Sequence, residues 1–180
     1  MQPLTTICQN GETFRRSRPL LEKVAQKTGG SAFLEIATRG ELVVMDQVRS
    51  TSPIQVDLAG MVVPLHCGSV GKLYLATLSD EELNEYLKQK LAAPTRFTIT
   101  KPQLLRKEIL EARVTGVAIN YKEHREEWCG ISAAIKDRAG RTIAYLNVTL
   151  PTFNNTKERV KFLAPILLNA ADEISSLFNK

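Results

Sequence analysis

Apolar positions along this chain switch between a helical period and a two-residue period, and the switches mark out its elements. Between Glu12 and Thr28, the residues Leu21, Val24, Ala25 and Thr28 fall on one stripe, and Gly29-Gly30 ends it. Pro19 inside this stretch predicts a break or kink near Arg18. The period then falls to two. Ala32, Leu34 and Ile36 alternate with Phe33, Glu35 and Ala37, and Arg39-Gly40 reads as a hairpin turn into Leu42-Val43-Val44-Met45. Ile54, Val56 and Leu58 alternate with Gln55 and Asp57, a further strand with one buried face. Gly68 to Leu78 reads as a loop entering a helix. Ser79, with Glu82 three residues on, forms a capping box that opens another helix to about Lys90. An irregular connection over Ala92–Thr98 leads to a helix over Lys101–Val114, stopped at Gly116.

Three more strands follow at Val117–Tyr121, Trp128–Lys136 and Thr142–Leu150, with Asp137-Arg138-Ala139-Gly140 turning between the last two. A final helix starts after Asn155, read as its cap with Glu158 three residues later. Its stripe is Val160, Leu163, Leu167, Ala170, Ile174 and Leu177, and Pro165 should kink or restart it. Strand runs set apart from helix runs predict an α+β domain. It would be built on an antiparallel sheet of about six strands, with the N- and C-terminal helices on one face.

Composition narrows the class. The chain has 180 residues, enough for one sizeable domain, and 43% hydrophobic and 24% charged residues, ordinary for a globular protein. No apolar run approaches the roughly 18–20 residues that span a bilayer. Met1-Gln2-Pro3-Leu4 lacks the basic and apolar regions of a signal peptide. A cytoplasmic chain with no membrane partner is expected. The net charge of +5 is scattered among acidic neighbours, which reads as a solvated basic surface and not a nucleic-acid face. Cys8, Cys67 and Cys129 are far apart and odd in number, as for thiols in a reducing compartment.

Candidate chemistry comes from the strand parity. Cys129, Ile131, Ala133 and Ile135 share one face with Ala144, Leu146, Val148 and Leu150. If the last three strands are neighbours, Asn120, Trp128, Gly130, Ser132, Asn147 and Thr149 share the other. A fully exposed face carries Lys and Glu; amides, hydroxyls, glycine and a tryptophan fit a partly closed cavity. A polar sheet surface covered by a loop explains the same pattern equally well. The segment Pro64-Leu65-His66-Cys67-Gly68-Ser69-Val70-Gly71-Lys72 runs into a helix, whose first N–H groups suit a small anion.

Other features read as structural. His66 has only His124 as a fellow histidine, and no His-x-x-x-His or Cys-x-x-Cys spacing exists, so neither a metal nor another cofactor is expected. Cys67 either borders the pocket or, more commonly for such a residue, is a buried small hydrophobe; Cys129 is core. Glu123-His124-Arg125-Glu126-Glu127 reads as a solvated loop, with Glu123 making a contact at the strand end. Leu73 after Lys72 breaks the phosphate-loop spacing, and Lys72 is expected at solvent or a neighbouring subunit.

Four segments together resemble the effector-binding domain of the IclR family of bacterial transcription regulators. They are Leu20 through Gly30; Pro64-Leu65-His66-Cys67 with Gly71-Lys72 and Leu75-Ala76; Gly116 through Glu123 with Ile131 through Ile135; and Gly140 with Asn147-Val148-Thr149-Leu150-Pro151. The likeness spans nearly the whole chain. Gly116 and Glu123 match the family signature, whereas Asn120 replaces its usual Asp or Ser. Gly130 stands where the family favours Cys, Ser or Ala. Asn147, Thr149 and Leu150 stand before Pro151 in place of Ser-x-Ser-Gly. These departures fall at positions that touch effector in the family.

The resemblance implies a GAF-like domain over 31–180, with residues 1–30 a linker and helix packed on it, and a ligand pocket on the sheet face opposite the terminal helices. It implies that Ser69 and Val70 offer backbone N–H groups to a carboxylate or carbonyl, and that Asn120 hydrogen-bonds the ligand without a charge. Asn147 and Thr149 would hold the ligand's other polar end. Trp128 would add stacking area for a larger or cyclic ligand, and Gly130 would leave room. The expected partner is an organic acid, sugar acid or aromatic carboxylate. A homodimer or tetramer is expected, with DNA bound only through a winged helix-turn-helix absent from this chain. A regulatory sensor is thus expected and not an enzyme. The alternatives are a dimerisation module with a vestigial pocket, or a small enzyme using Cys67 or Glu123, for which no aligned base is legible.

Overall fold

The computed structural model describes residues 11–38, 40–51 and 62–178. The chain runs α1 (Gly11–Thr28), β1 (Ser31–Thr38), β2 (Glu41–Val48), a 3₁₀ turn (Leu65–Cys67), α2 (Ser69–Leu75), α3 (Asp80–Leu87) and α4 (Pro102–Thr115). It continues through β3 (Val117–Tyr121), β4 (Trp128–Lys136), β5 (Thr142–Pro151), a 3₁₀ turn (Thr152–Asn154), α5 (Lys157–Lys161) and α6 (Ala164–Phe178). One antiparallel sheet of order β2-β1-β5-β4-β3 joins the strands. The α+β class stands. The described sheet has five strands where about six were expected, and the expected strand over 54–58 lies outside the described residues.

Parity divides the sheet into two covered faces. On one, Ala32, Leu34 and Ile36 join Cys129, Ile131, Ala133 and Ile135 and Ala144, Leu146, Val148 and Leu150. The buried stripes of α1 (Phe14, Leu21, Val24, Ala25) and α6 (Leu167, Ala170, Ala171, Ile174) pack on them. On the other face Tyr145 and Ala118 meet Val70, Leu73, Leu83, Leu105 and Ile109 from α2, α3 and α4. The central strands β1 and β5 are therefore buried on both sides over most of their length. Burying this apolar surface against two helical layers is the main stabilising term.

Local signals behave as their chemistry dictates. The Ser79 hydroxyl accepts from the Glu82 amide at 3.1 Å, and the Glu82 carboxylate accepts from the Ser79 amide at 2.8 Å, closing the capping box. Ser79→Ala removes one half of it and should lower stability by about 1 kcal/mol in a urea melt, with an unchanged m-value. Gly116 ends α4 in the left-handed region at φ 71°, where a side chain would be strained.

Two local expectations are corrected, and the choice left open at a third is decided. Helix α1 continues through Pro19 without a break, because the amide that proline lacks would have served the Arg15 carbonyl, and both residues lie on the exposed side where water substitutes. The cap of α5 is Thr156, whose hydroxyl accepts from the Arg159 amide at 3.2 Å; Asn155 instead donates to the Pro151 carbonyl at 2.8 Å. At Pro165 the helix restarts, one of the two outcomes expected: the proline sits in the first turn of α6, where its missing N–H costs nothing.

Candidate functional site

The second sheet face is where polar side chains gather. Strand pairing sets Asn120 opposite Gly130 and Gly130 opposite Thr149, with Ser132 opposite Asn147 in the next row. The start of α2 comes down over these rows. Ser69, Val70, Asn120, Trp128, Gly130, Asn147 and Thr149 all line one cavity of about 70 Å³, closed by Glu35, Leu42, Val63, Gly68, Gly71 and His124. At about 70 Å³ it is smaller than the ~150 Å³ of a cavity that admits benzene, and it is partly open to solvent.

A hydrogen-bond chain crosses the cavity floor. Ser69 Oγ and Ser132 Oγ lie 2.7 Å apart, Ser132 donates to Asn147 Oδ1 at 3.2 Å, and Asn147 Nδ2 donates to Glu35 Oε1 at 2.7 Å. Gly130 leaves less room than expected: a Cβ there would meet the Val148 carbonyl at 3.3 Å and Ser69 Oγ at 3.4 Å, so the Ser69 hydroxyl already occupies the space. Burial pushes the Glu35 carboxyl up to about 7, against the opposing pull of Asn147. Burial, with Arg125 close by, holds the His124 ring below its ordinary pKa.

Behind the cavity lies a second polar centre. Lys72 is fully buried and does not face solvent or a neighbour. Its ammonium donates to Glu123 Oε1 at 2.7 Å, Glu108 Oε2 at 2.6 Å and the Ile119 carbonyl at 3.1 Å, using all three of its protons. Glu123 is buried too, unlike the exposed Glu126 and Glu127 of the same run. Burial drives its carboxyl above the usual range, and Lys72 pulls it back. The Glu123 amide donates to Asn120 Oδ1 at 3.1 Å, and the Thr95 and Thr98 hydroxyls donate to the Lys122 and Glu123 carbonyls at 2.6 Å each. Asn120 thus faces both ways, toward the cavity and toward the turn that carries Glu123. Gly116, Asn120 and Glu123 serve here as a left-handed helix stop, a strand-end cap and a buried counter-ion.

A family model for the bacterial transcriptional regulator IclR C-terminal domain matches residues 5–176. The chain belongs to the IclR family. It carries the C-terminal, effector-binding domain of that family. Among IclR relatives, it is 28% identical to the transcriptional regulator SauR of Cupriavidus necator, over 97% of this chain and 70% of that protein. It is 26% identical to the transcriptional repressor IclR of Escherichia coli, over 92% of this chain and 64% of that one. The chain thus spans about two thirds of the length of the curated relatives it matches. A solved transcriptional regulator from Rhodococcus superposes with a TM-score of 0.80 at 28% identity, covering 88% of this chain and 66% of that one. The PobR inducer-binding domain from Acinetobacter, solved with 3-hydroxybenzoic acid, shares the fold with a TM-score of 0.76 at 22% identity, covering 89% and 96%.

Within this IclR domain, five of the cavity residues, Asn120, Trp128, Gly130, Asn147 and Thr149, follow from strand parity, and Ser69 and Val70 from the family resemblance; Ser132, on the same face by parity, lies beneath the lining, and Glu35 and His124 were missed. Glu35 sat on a recognisable strand, but nothing local showed that both faces of β1 are covered. His66 has a structural place: its ring lies 3.1 Å from the Tyr86 hydroxyl and 2.8 Å from the Ala92 carbonyl. Cys67 and Cys129 are buried free thiols pushed up to about 12, so neither is a thiolate nucleophile near neutral pH. Neither Cys67 nor Glu123 lines the cavity. No helix among the described residues is long and apolar enough to cross a membrane.

Proposed function

We propose that the cavity is the effector site of a transcription regulator and that its effector is a compact organic acid. The observation that carries this reading is the convergence of Ser69, Asn120, Asn147 and Thr149 on one small space with no lysine or arginine among its described lining residues. Peptide N–H groups at Ser69 and Val70 would receive the acid's oxygen, Asn120 adds an uncharged amide, and Asn147 and Thr149 hold the other polar end. Effector binding would favour one arrangement of subunits and so bias the DNA-binding part of the whole regulator, a population shift limited by the ligand's differential affinity for the two states. A homodimer or tetramer is the natural frame for such coupling.

A thermal-shift screen of acetate, propionate, lactate, sugar acids and aromatic carboxylates tests the reading. A ligand that binds only the folded chain raises its melting temperature in proportion to the logarithm of its concentration. The compact acids should shift it and the aromatic acids should not. In the Asn147→Ala/Thr149→Ala double variant the affinity should drop at least about fivefold, since each lost hydrogen bond is worth about 0.5–1.5 kcal/mol. A shift that survives in the double variant places the ligand elsewhere, and no shift from any acid leaves a dimerisation module as the better description.

A further inference from the structure

Among the described residues the cavity wall holds one carboxyl, Glu35, to which the proposed function gives no role. Its residue is 6% exposed, it faces the cavity from β1, and among the described residues its only hydrogen bond comes from Asn147. The direction of the chain that ends on it can be worked out from proton counts. Ser132 has one hydroxyl proton and donates it to Asn147 Oδ1, so in its contact with Ser69 it accepts and Ser69 donates. Every donor therefore points toward an ionised Glu35: Ser69 to Ser132, Ser132 to Asn147, Asn147 to Glu35. Ser69, at the start of α2, is left with only lone pairs for a ligand. A proton on Glu35 reverses the order once the Asn147 amide turns over. The carboxyl then donates to Asn147 Oδ1, the amide to Ser132, Ser132 to Ser69, and the Ser69 hydroxyl is free to donate into the cavity.

We propose that Glu35 sets the charge the cavity accepts: a monocarboxylate enters together with one proton from solvent, which is held on Glu35, while Ser69 presents its hydroxyl to the bound oxygen. The inference rests on the effector reading above. Two carboxylates side by side in about 70 Å³, with no cation among the described lining residues, disfavour joint ionisation, and reversal of the chain turns the same proton into a donor for the ligand. Burial already places the Glu35 carboxyl at about 7, so taking up the proton is easy near neutral pH.

The groups packed around Glu35 leave it as the one that titrates. From β5 comes the Tyr145 phenol, raised by burial and kept protonated. From β2 come Leu42 and Val44, which are uncharged. From α2 come Ser69, Val70 and Gly71, while Lys72 is engaged with Glu108 and Glu123. From the turn after β3 comes His124, whose ring is held below its ordinary pKa by burial and by Arg125.

Calorimetric titration of the 180-residue chain with acetate, propionate and lactate from pH 6 to 9 is the test, each acid against its neutral amide. The expected result is an acid affinity that falls tenfold per pH unit above about 7, with about one proton taken up at pH 8 in buffers of different ionisation heat. The amides should bind without proton uptake. In Glu35→Gln the acid affinity should be flat with pH and equal to the wild-type value at pH 6; Ser132→Ala should keep the pH dependence but weaken binding at pH 6 at least threefold. Acid binding that is flat with pH in the wild type, or unchanged in slope in Glu35→Gln, overturns this inference and leaves the effector reading standing. Failure of all three acids to bind at pH 6 overturns both.

Discussion

Replacing Lys72 with methionine is expected to destabilise the chain by about 3–5 kcal/mol at pH 7, enough to unfold much of a marginally stable domain. Methionine conserves the length and apolar stem of the side chain, so the packing of α2 against β3 and β4 survives and the loss is electrostatic. Two carboxylates, Glu123 at 6% and Glu108 at 32% side-chain exposure, lose their shared ammonium, and the Ile119 carbonyl loses a donor. Glu123 already has a second oxygen buried without a partner, and its first would keep only the long contact from the Tyr121 amide at 3.5 Å. The sign with pH follows. Glu123 is raised even with Lys72 present, and removing the lysine raises it further, so the variant regains part of its stability as pH falls and that carboxyl takes up a proton. Chemical denaturation of both proteins at pH 5 and pH 7.5 measures this. A difference between them that does not shrink at pH 5 would mean that packing, and not charge, was lost. Glu123→Gln should partly rescue Lys72→Met, because it removes the stranded charge.

The second large effect is expected at Gly71. A Cβ at this position would overlap the Leu65 carbonyl oxygen and lie 2.6 Å from the Leu65 Cα and 2.7 Å from its carbonyl carbon. These are backbone atoms, so no rotamer change relieves them. Gly71→Ala must push α2 away from the preceding 3₁₀ turn, at a cost of about 1–3 kcal/mol or more for such overpacking. The first turn of α2 forms one wall of the cavity, so ligand binding should fail along with stability. Adding the compact acid that most stabilises the parent chain should raise the melting temperature of Gly71→Ala by less than a third as much. An equal rise in both would show that the α2 wall is not part of the ligand site.

The fold was legible wherever a pattern was local. The boundaries of β3 and β4, the Ser79 cap and the Gly116 stop depend on neighbouring residues, and the structure has them as the sequence predicts. The cavity face was legible because parity is rigid: once β3, β4 and β5 are neighbours, Asn120, Gly130, Asn147 and Thr149 must share a side. Lys72 was not legible, since its partners lie 36 and 51 residues downstream and no local periodicity reports on a long side chain reaching through a layer. Glu35 escaped for a related reason. A carboxylate on an alternating strand reads as solvent-facing, and only the helices that cover the second face reverse that reading.

Lys72 also divides the cavity mechanically. Two residues separate Ser69, which lines the cavity, from a lysine locked by three acceptors, and both ride on a seven-residue helix. A rigid short helix cannot carry one end forward while the other stays tethered, and releasing the tether strands charge in the interior. The α2 wall is consequently a fixed jaw, already set before any guest arrives, which lowers the ordering entropy lost on binding. Accommodation of guests of different size falls to the opposing jaw of Leu42, Val63 and half-exposed Trp128, and variation in selectivity within this architecture should be sought there.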